Sequence, residues 1–213
     1  LFNIYLNNVQ KSELEPPVAG KRGEKREDLK ARLIEAARSR IAAEGLANLR
    51  ARDVTQDAGC ALGGLYTAFA DLDELIIHVN SSTLQALEAS LRRDGADIED
   101  PVQMMRHLAR GYLAFAVAHR HLWRALFEHQ RPTTPQWHLD EHLFLIGMIA
   151  TPLADLQPAL CDEDRSIRAR TLFGAVHGVI SISLEGRFVG LPLERLEQEI
   201  DEFVMLIARG TRM

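Results

Sequence analysis

Cysteine is scarce in this 213-residue chain: Cys60 and Cys161 are the only two, about a hundred positions apart. A disulfide framework needs closely paired thiols, so none is expected, and two isolated small side chains suit a reducing compartment. A cytoplasmic protein is therefore expected. No apolar run approaches the roughly 18–20 residues that span a bilayer, and Leu1–Leu6 lacks the basic flank and apolar core of an export signal. Membrane and secretory classes drop out on that ground. The chain also lacks a Gly-rich phosphate loop, a nucleophile elbow and a paired-carboxylate arrangement, so no enzyme activity and no cofactor are expected. What is present is 46% hydrophobic and 26% charged residues, enough to bury a core without staples.

The net charge of −5 is unevenly spread. Residues 1–20 hold 1 basic and 2 acidic side chains, residues 21–70 hold 10 and 7, and residues 71–213 hold 14 and 21. A basic segment ahead of an acidic remainder fits a DNA-contacting module joined to a part that does not touch DNA.

The pattern is helical nearly throughout, with no repeat and no strand alternation. Residues 1–20, with Pro16, Pro17 and Gly20, read as a flexible leader. Leu29, Leu33, Ala36, Ala37 and Ile41 then recur at helical intervals up to Gly45. Two short helices follow, about Ala51–Ala58 and Leu62–Phe69, separated by Gly59. Asp71 with Glu74 makes a capping start for a long fourth helix, which runs to about Arg93 and can link two domains. Asp100-Pro101 restarts the chain. Further helices are expected over 101–118, 120–130, 136–155, 163–187 and 192–209. The expected fold is all-α: a leader (1–20), a three-helix helix-turn-helix domain (21–70), and a helical bundle for ligand binding and dimerisation (71–213).

Within residues 45–69, Val54, Ala58, Leu65 and Phe69 can close a small core against the first helix. The start of the second short helix is left facing outward, where a helix-turn-helix presents its recognition helix to the major groove. Gly63 and Gly64 allow close backbone approach to DNA, and Tyr66 can reach a phosphate. This segment resembles the N-terminal signature of the tetracycline-repressor-like (TetR) family. Gly45, Val54, Ala58, Gly59, Gly63, Leu65, Tyr66, Phe69 and Leu75 stand at the matching positions. The resemblance implies DNA contacts from Leu62, Gly63, Gly64, Tyr66 and Thr67. Four positions depart from the family pattern: Arg50 and Ala61 replace small hydroxyl residues, Ala68 an aromatic, and Leu72 a phosphate-binding Lys. Arg50, Arg52 and the basic arm containing Lys25 are expected to supply the missing phosphate contacts.

In the C-terminal half, Tyr112–Ala116 and Phe173–Gly178 resemble a TetR subgroup with Tyr-x-x-Phe-Ala and His-Gly segments. The family resemblance implies a ligand cavity there. Its candidate lining residues are Tyr112, Phe115, Trp123, Phe127, Phe144, Met148, Phe173 and His177, with His119 and His121 as further polar groups. The same positions also suit plain bundle core. His138 and His142 lie four apart on a helix, but no metal-site motif accompanies them, and no metal is expected.

The expected mechanism is that of a homodimeric regulator, most simply a repressor. Its two recognition helices must sit about 34–36 Å apart to enter successive grooves of double-stranded operator DNA. A small, largely apolar effector would shift the fourth helix and spoil that spacing. The alternative is a ligand-binding helical dimer of the same fold that no longer binds DNA. The last two helices are the expected dimer interface. They carry an apolar stripe (Leu196, Ile200, Phe203, Val204, Ile207) and a small-residue stretch from Gly174 to Ser183.

Overall fold

The computed structural model describes residues 21–93, 95–129, 133–186 and 189–210, without the side chains of residues 21–22 and 208–210. The expected leader, residues 1–20, lies outside the described residues. Among the latter there are nine α-helices and no strand. They are α1 (Lys21–Glu44), α2 (Ala51–Asp57), α3 (Leu62–Ala68), α4 (Leu72–Arg93), α5 (Pro101–Ala118), α6 (Arg120–Glu128), α7 (Gln136–Leu156), α8 (Asp162–Leu184) and α9 (Leu193–Gly210). No described helix is long and apolar enough to cross a membrane.

The helix ends follow from local chemistry. Gly45 stops α1 with φ +81°, a conformation that costs a residue with a Cβ. Gly59 does the same in the turn between α2 and α3, with φ +65°. At α4 the capping pair is reciprocal: the Glu74 amide donates to Asp71 at 2.6 Å, and the Ala70 amide donates to Glu74 at 2.5 Å. Asp100 caps α5 through the Gln103 amide at 2.7 Å, with Pro101 opening the helix. Asp162, Glu163 and Asp164 form the first turn of α8, where carboxylates suit the helix dipole. Pro152 sits inside α7 and buried, a position its missing amide disfavours.

Two cores form. The first joins Leu33, Ala37 and Ile41 of α1 to Val54, Ala58, Leu65, Ala68 and Phe69, and it also takes Leu75 and Val79 of α4 and Leu122 and Ala125 of α6. A boundary at residue 70 therefore runs through packed side chains, and the helix-turn-helix rests on the bundle. The second core holds Leu87 and Leu91 of α4 with side chains from α5 through α9, including Tyr112, Trp123 and Leu153. The α4 helix contributes to both, so a shift in one core is felt in the other. Arg40 ties α1 to α2 by a bidentate bond to Asp57 at 2.5 and 2.9 Å, and Arg32 donates to the Ala58 carbonyl.

Along α9 the apolar stripe divides. Leu196, Ile200 and Val204 are buried in the protomer's own core, whereas Phe203 and Leu206 are exposed. Asp201, beside the stripe, accepts from Arg106 (2.8 and 2.7 Å) and Arg110 (2.8 Å) and fastens α9 to α5. Those guanidinium bonds hold its carboxyl below the ordinary carboxylate value of 3.8.

Candidate functional site

Two regions stand apart from ordinary helix packing. The first is the outer face of α3. Leu62, Gly63, Tyr66 and Thr67 are exposed there, Tyr66 by 59%. Such exposure of a large aromatic serves no packing role. A Cβ on Gly63 would meet nothing within 4 Å, leaving the backbone open to close approach. Gly64 is different: it lies in the first turn of α3, and a Cβ there would come within 3.1 Å of Cys60 Sγ, so the glycine lets Cys60 pack close against the helix. Lys25, Arg50 and Arg52 are exposed and have no ion pair with any described residue. Neither α2 nor α3 has a side-chain cap, consistent with Arg50 and Ala61 standing at their N-cap positions.

The second region is a cavity of about 80 Å³ in the C-terminal core. One water needs roughly 10–15 Å³ on this scale, so the space has room for a small organic molecule. Its walls come from α4 (Leu87, Leu91), α5 (Met105, Leu108, Ala109, Tyr112), α7 (Leu145, Met148, Ile149), α8 (Leu172, Phe173, Val176) and α9 (Phe203, Val204, Ile207). Of the lining residues expected from sequence, Tyr112, Met148 and Phe173 are on this wall. Trp123, Phe127 and His177 instead form an aromatic cluster behind Tyr112. Tyr112 and His177 share a hydrogen bond of 2.9 Å between the hydroxyl and Nδ1. His177 lies 4.1 Å from Phe127 and 5.1 Å from Trp123, centroid to centroid. Burial lowers the His177 pKa and raises that of Tyr112, so both are neutral near pH 7. The Trp123 indole nitrogen is buried without a hydrogen-bond partner.

Phe115 is buried against His119, at 4.6 Å, and Phe144 is exposed beneath Arg92, whose guanidinium sits 4.9 Å over its ring. Neither lines the cavity. His121 sits beside Gly45, where it props α6 against the end of α1. His138 and His142 belong to the seam between α4 and α7. Among the described residues no group of three potential metal ligands occurs. The aliphatic wall residues escaped sequence reasoning because leucine and isoleucine at helical spacing carry no mark that separates cavity wall from core.

Residues 105–205 match a family model described as the tetracyclin repressor-like, C-terminal domain. Over those residues the chain is similar to tetracyclin repressor-like C-terminal domains. That match and the helical architecture together support the TetR family. No curated protein sequence matches the chain. Among solved structures, a protein of unknown function from Rhodococcus sp. RHA1 is similar with a TM-score of 0.71 and 21% identity, covering 92% of this chain and 98% of that one. RolR, solved in complex with the ligand resorcinol, has a TM-score of 0.66 and 19% identity, covering 88% and 94%. A TetR transcriptional regulator from Rhodococcus sp. RHA1 has a TM-score of 0.62 and 18% identity, covering 86% and 97%. At these identities the likeness speaks for the fold alone.

Proposed function

We propose that this chain is a ligand-responsive, DNA-binding transcriptional regulator, a homodimeric repressor released from operator DNA by a small, largely apolar effector. The observation that carries this reading is that α4 is shared. Leu75 and Val79 pack in the helix-turn-helix core, and Leu87 and Leu91, three to four turns along, form a wall of the cavity. A molecule that fills the cavity displaces Leu87 and Leu91, and a rigid helix delivers that displacement to the helix-turn-helix. The apolar walls support an apolar effector, since an unpaired polar group buried there costs roughly 1–3 kcal/mol. RolR, of similar fold, binds a small aromatic compound.

The dimer face is assigned to the outer sides of α8 and α9. Ile167, Thr171 and Gly174 are exposed on one side of α8, and a Cβ on Gly174 or Gly178 meets nothing within 4 Å. Phe203 and Leu206 continue the apolar surface on α9. A second copy would cover both.

The test is an electrophoretic shift and footprint on DNA flanking the gene, at low salt, repeated with Tyr66→Phe and with a panel of hydrophobic compounds. Sequence-specific protection that one compound class relieves is the expected result. The second reading, a ligand-binding dimer without DNA affinity, is favoured by the uncapped starts of α2 and α3 and by Leu72. Absence of any DNA binding beside a clear thermal shift with a ligand would establish it instead.

A further inference from the structure

Five of the eight histidines fall between His119 and His142, and the effector cavity uses none of them. Three of the five, with His78, gather where α7 lies along α4. The pairings run in the same order along both helices. His78 stacks on Trp137 at 5.2 Å and meets Phe69 of the helix-turn-helix core at 5.4 Å. Next, Ser81 donates to Glu141 Oε1 at 2.5 Å, and Gln85 donates to the same oxygen at 3.2 Å. Beyond these, Leu87 and Leu91 face Leu145, Met148 and Ile149 across the cavity. A single carboxylate thus joins the two helices between the cavity and the DNA-binding domain. Its other oxygen, Oε2, lies 3.0 Å from His138 Nδ1, and His138 is itself buried.

We propose that Glu141 is a positioning residue, a latch that holds α4 to α7 through Ser81 and Gln85 and through which His138 makes the seam sensitive to protons. This rests on the proposed regulatory role of α4. The groups around His138 are Glu141, His142 and Trp137 on its own helix and His129 at the end of α6, with Ser81 and Gln85 of α4 reached through Glu141. Those around His78 are Glu74 of its own helix, Lys30 and Glu27 of α1, and Glu141. Burial holds both histidines below the ordinary pKa of 6.5. A proton on His138 places a cation in a buried site, close to the His142 ring at 4.7 Å and towards His129. Glu141 offsets part of that cost, and opening the seam to water offsets the rest. The latch therefore loosens as pH falls, and α4 loosens with it.

The experiment compares full-length wild type, Ser81→Ala and Glu141→Gln at pH 7.5 and 5.5. Amide hydrogen exchange of α4, corrected for intrinsic rates, is expected to rise about 5-fold or more on acidification in wild type, the lower end of ordinary coupling between sites. In Ser81→Ala, which leaves the His138–Glu141 pair intact, α4 should exchange fast at both pH values. In Glu141→Gln the His138 titration followed by NMR should move to lower pH, because the neighbouring anion is gone. Where wild type selects an operator duplex, its affinity should follow the same pH profile, flattened in both variants. A purely structural Glu141 would lower thermal stability yet leave the pH profile unchanged. Equal α4 exchange in wild type and Ser81→Ala, or a His138 titration indifferent to Glu141→Gln, overturns the latch. Absence of DNA binding at every pH overturns the regulatory role instead, and leaves the exchange result to decide the latch.

Discussion

The hydrogen bond between Tyr112 and His177 can be measured by a double-mutant cycle, because both side chains have a close apolar replacement. Tyr112→Phe deletes the hydroxyl and leaves His177 Nδ1 without its 2.9 Å partner. His177→Phe deletes the other half and strands the Tyr112 hydroxyl, which is 7% exposed with its residue. A buried polar group left unpaired costs about 1–3 kcal/mol, and His177, being only half-buried, regains part of that from water. Each single variant is therefore expected to lose about 1–2 kcal/mol. The double variant should lose little more than either, because a phenylalanine at 177 remains among Phe127, Phe173 and Trp123. The coupling should be close to 1 kcal/mol. For a protein of this size that is roughly 2–4 °C in Tm, read by urea and thermal unfolding at fixed protein concentration, since self-association would feed into apparent stability. If the single losses add to the double within about 0.3 kcal/mol, the pair contributes nothing as a pair and the account of the aromatic cluster is wrong.

Gly59→Ala should lower stability by about 1–2 kcal/mol through its left-handed backbone alone, since a Cβ there meets only Arg32 Nη1 at 3.7 Å. Gly63→Ala should act in the opposite direction, stabilising α3 by up to about 1 kcal/mol while weakening DNA binding, so calorimetry and a shift assay must disagree in sign. Burial lowers the pKa of His78, His138 and His177, so the unfolded chain takes up protons first. Stability should be complete above pH 6.5 and decline as pH falls below it, and a Tm that is flat or rises between pH 7 and 5.5 refutes the assignment of these histidines as neutral. Ile167→Glu, on the exposed side of α8, should shift sedimentation towards monomer without unfolding the protomer. An unchanged dimer would remove α8 from the interface.

Much of the fold was legible because helix boundaries are written locally. Asp100-Pro101, the Asp71 and Glu74 pair, Gly45 and Gly59 each state a physical requirement at one position, and the structure places a helix end at every one of them. The start of the helix expected over 163–187 lies one residue earlier, at Asp162, because the carboxylates there suit a helix N-terminus. The helix-turn-helix core was equally legible, since Val54, Ala58, Leu65 and Phe69 have few alternatives to facing α1. The cavity was not. Aromatic and histidine side chains drew attention as candidate walls, yet most of the wall is aliphatic and comes from five helices that only tertiary packing brings together. Phe144 illustrates the limit: its helical phase fits a wall, and it faces solvent under Arg92.

Charge shows the same division between pattern and placement. The positive balance of residues 21–70 suggested a cationic surface, but several of its cations are engaged internally. Arg40 is held by Asp57 and lies near Asp53, Arg32 spans Asp28 and the Ala58 carbonyl, and Lys30 and Arg38 pair along α1 with Glu27 and Glu35. Of these, the Arg40–Asp57 pair joins α1 to α2, and the Arg32 bond to the Ala58 carbonyl joins α1 to the turn before α3. What stays available to a phosphate backbone, among the described side chains, includes Lys25 and Arg26 at one end of α1 and Arg50 and Arg52 at the start of α2. Those two groups flank the exposed face of α3 in sequence on the N-terminal side only. Phosphate attraction adds with each cation brought near, so a short set of free cations makes the internal pairs matter twice. The Arg40 and Arg32 bonds hold the helices that carry α3, and under the proposed function the phosphate contacts fall to Lys25, Arg26, Arg50 and Arg52, of which Arg50 stands where the family pattern has a small hydroxyl residue.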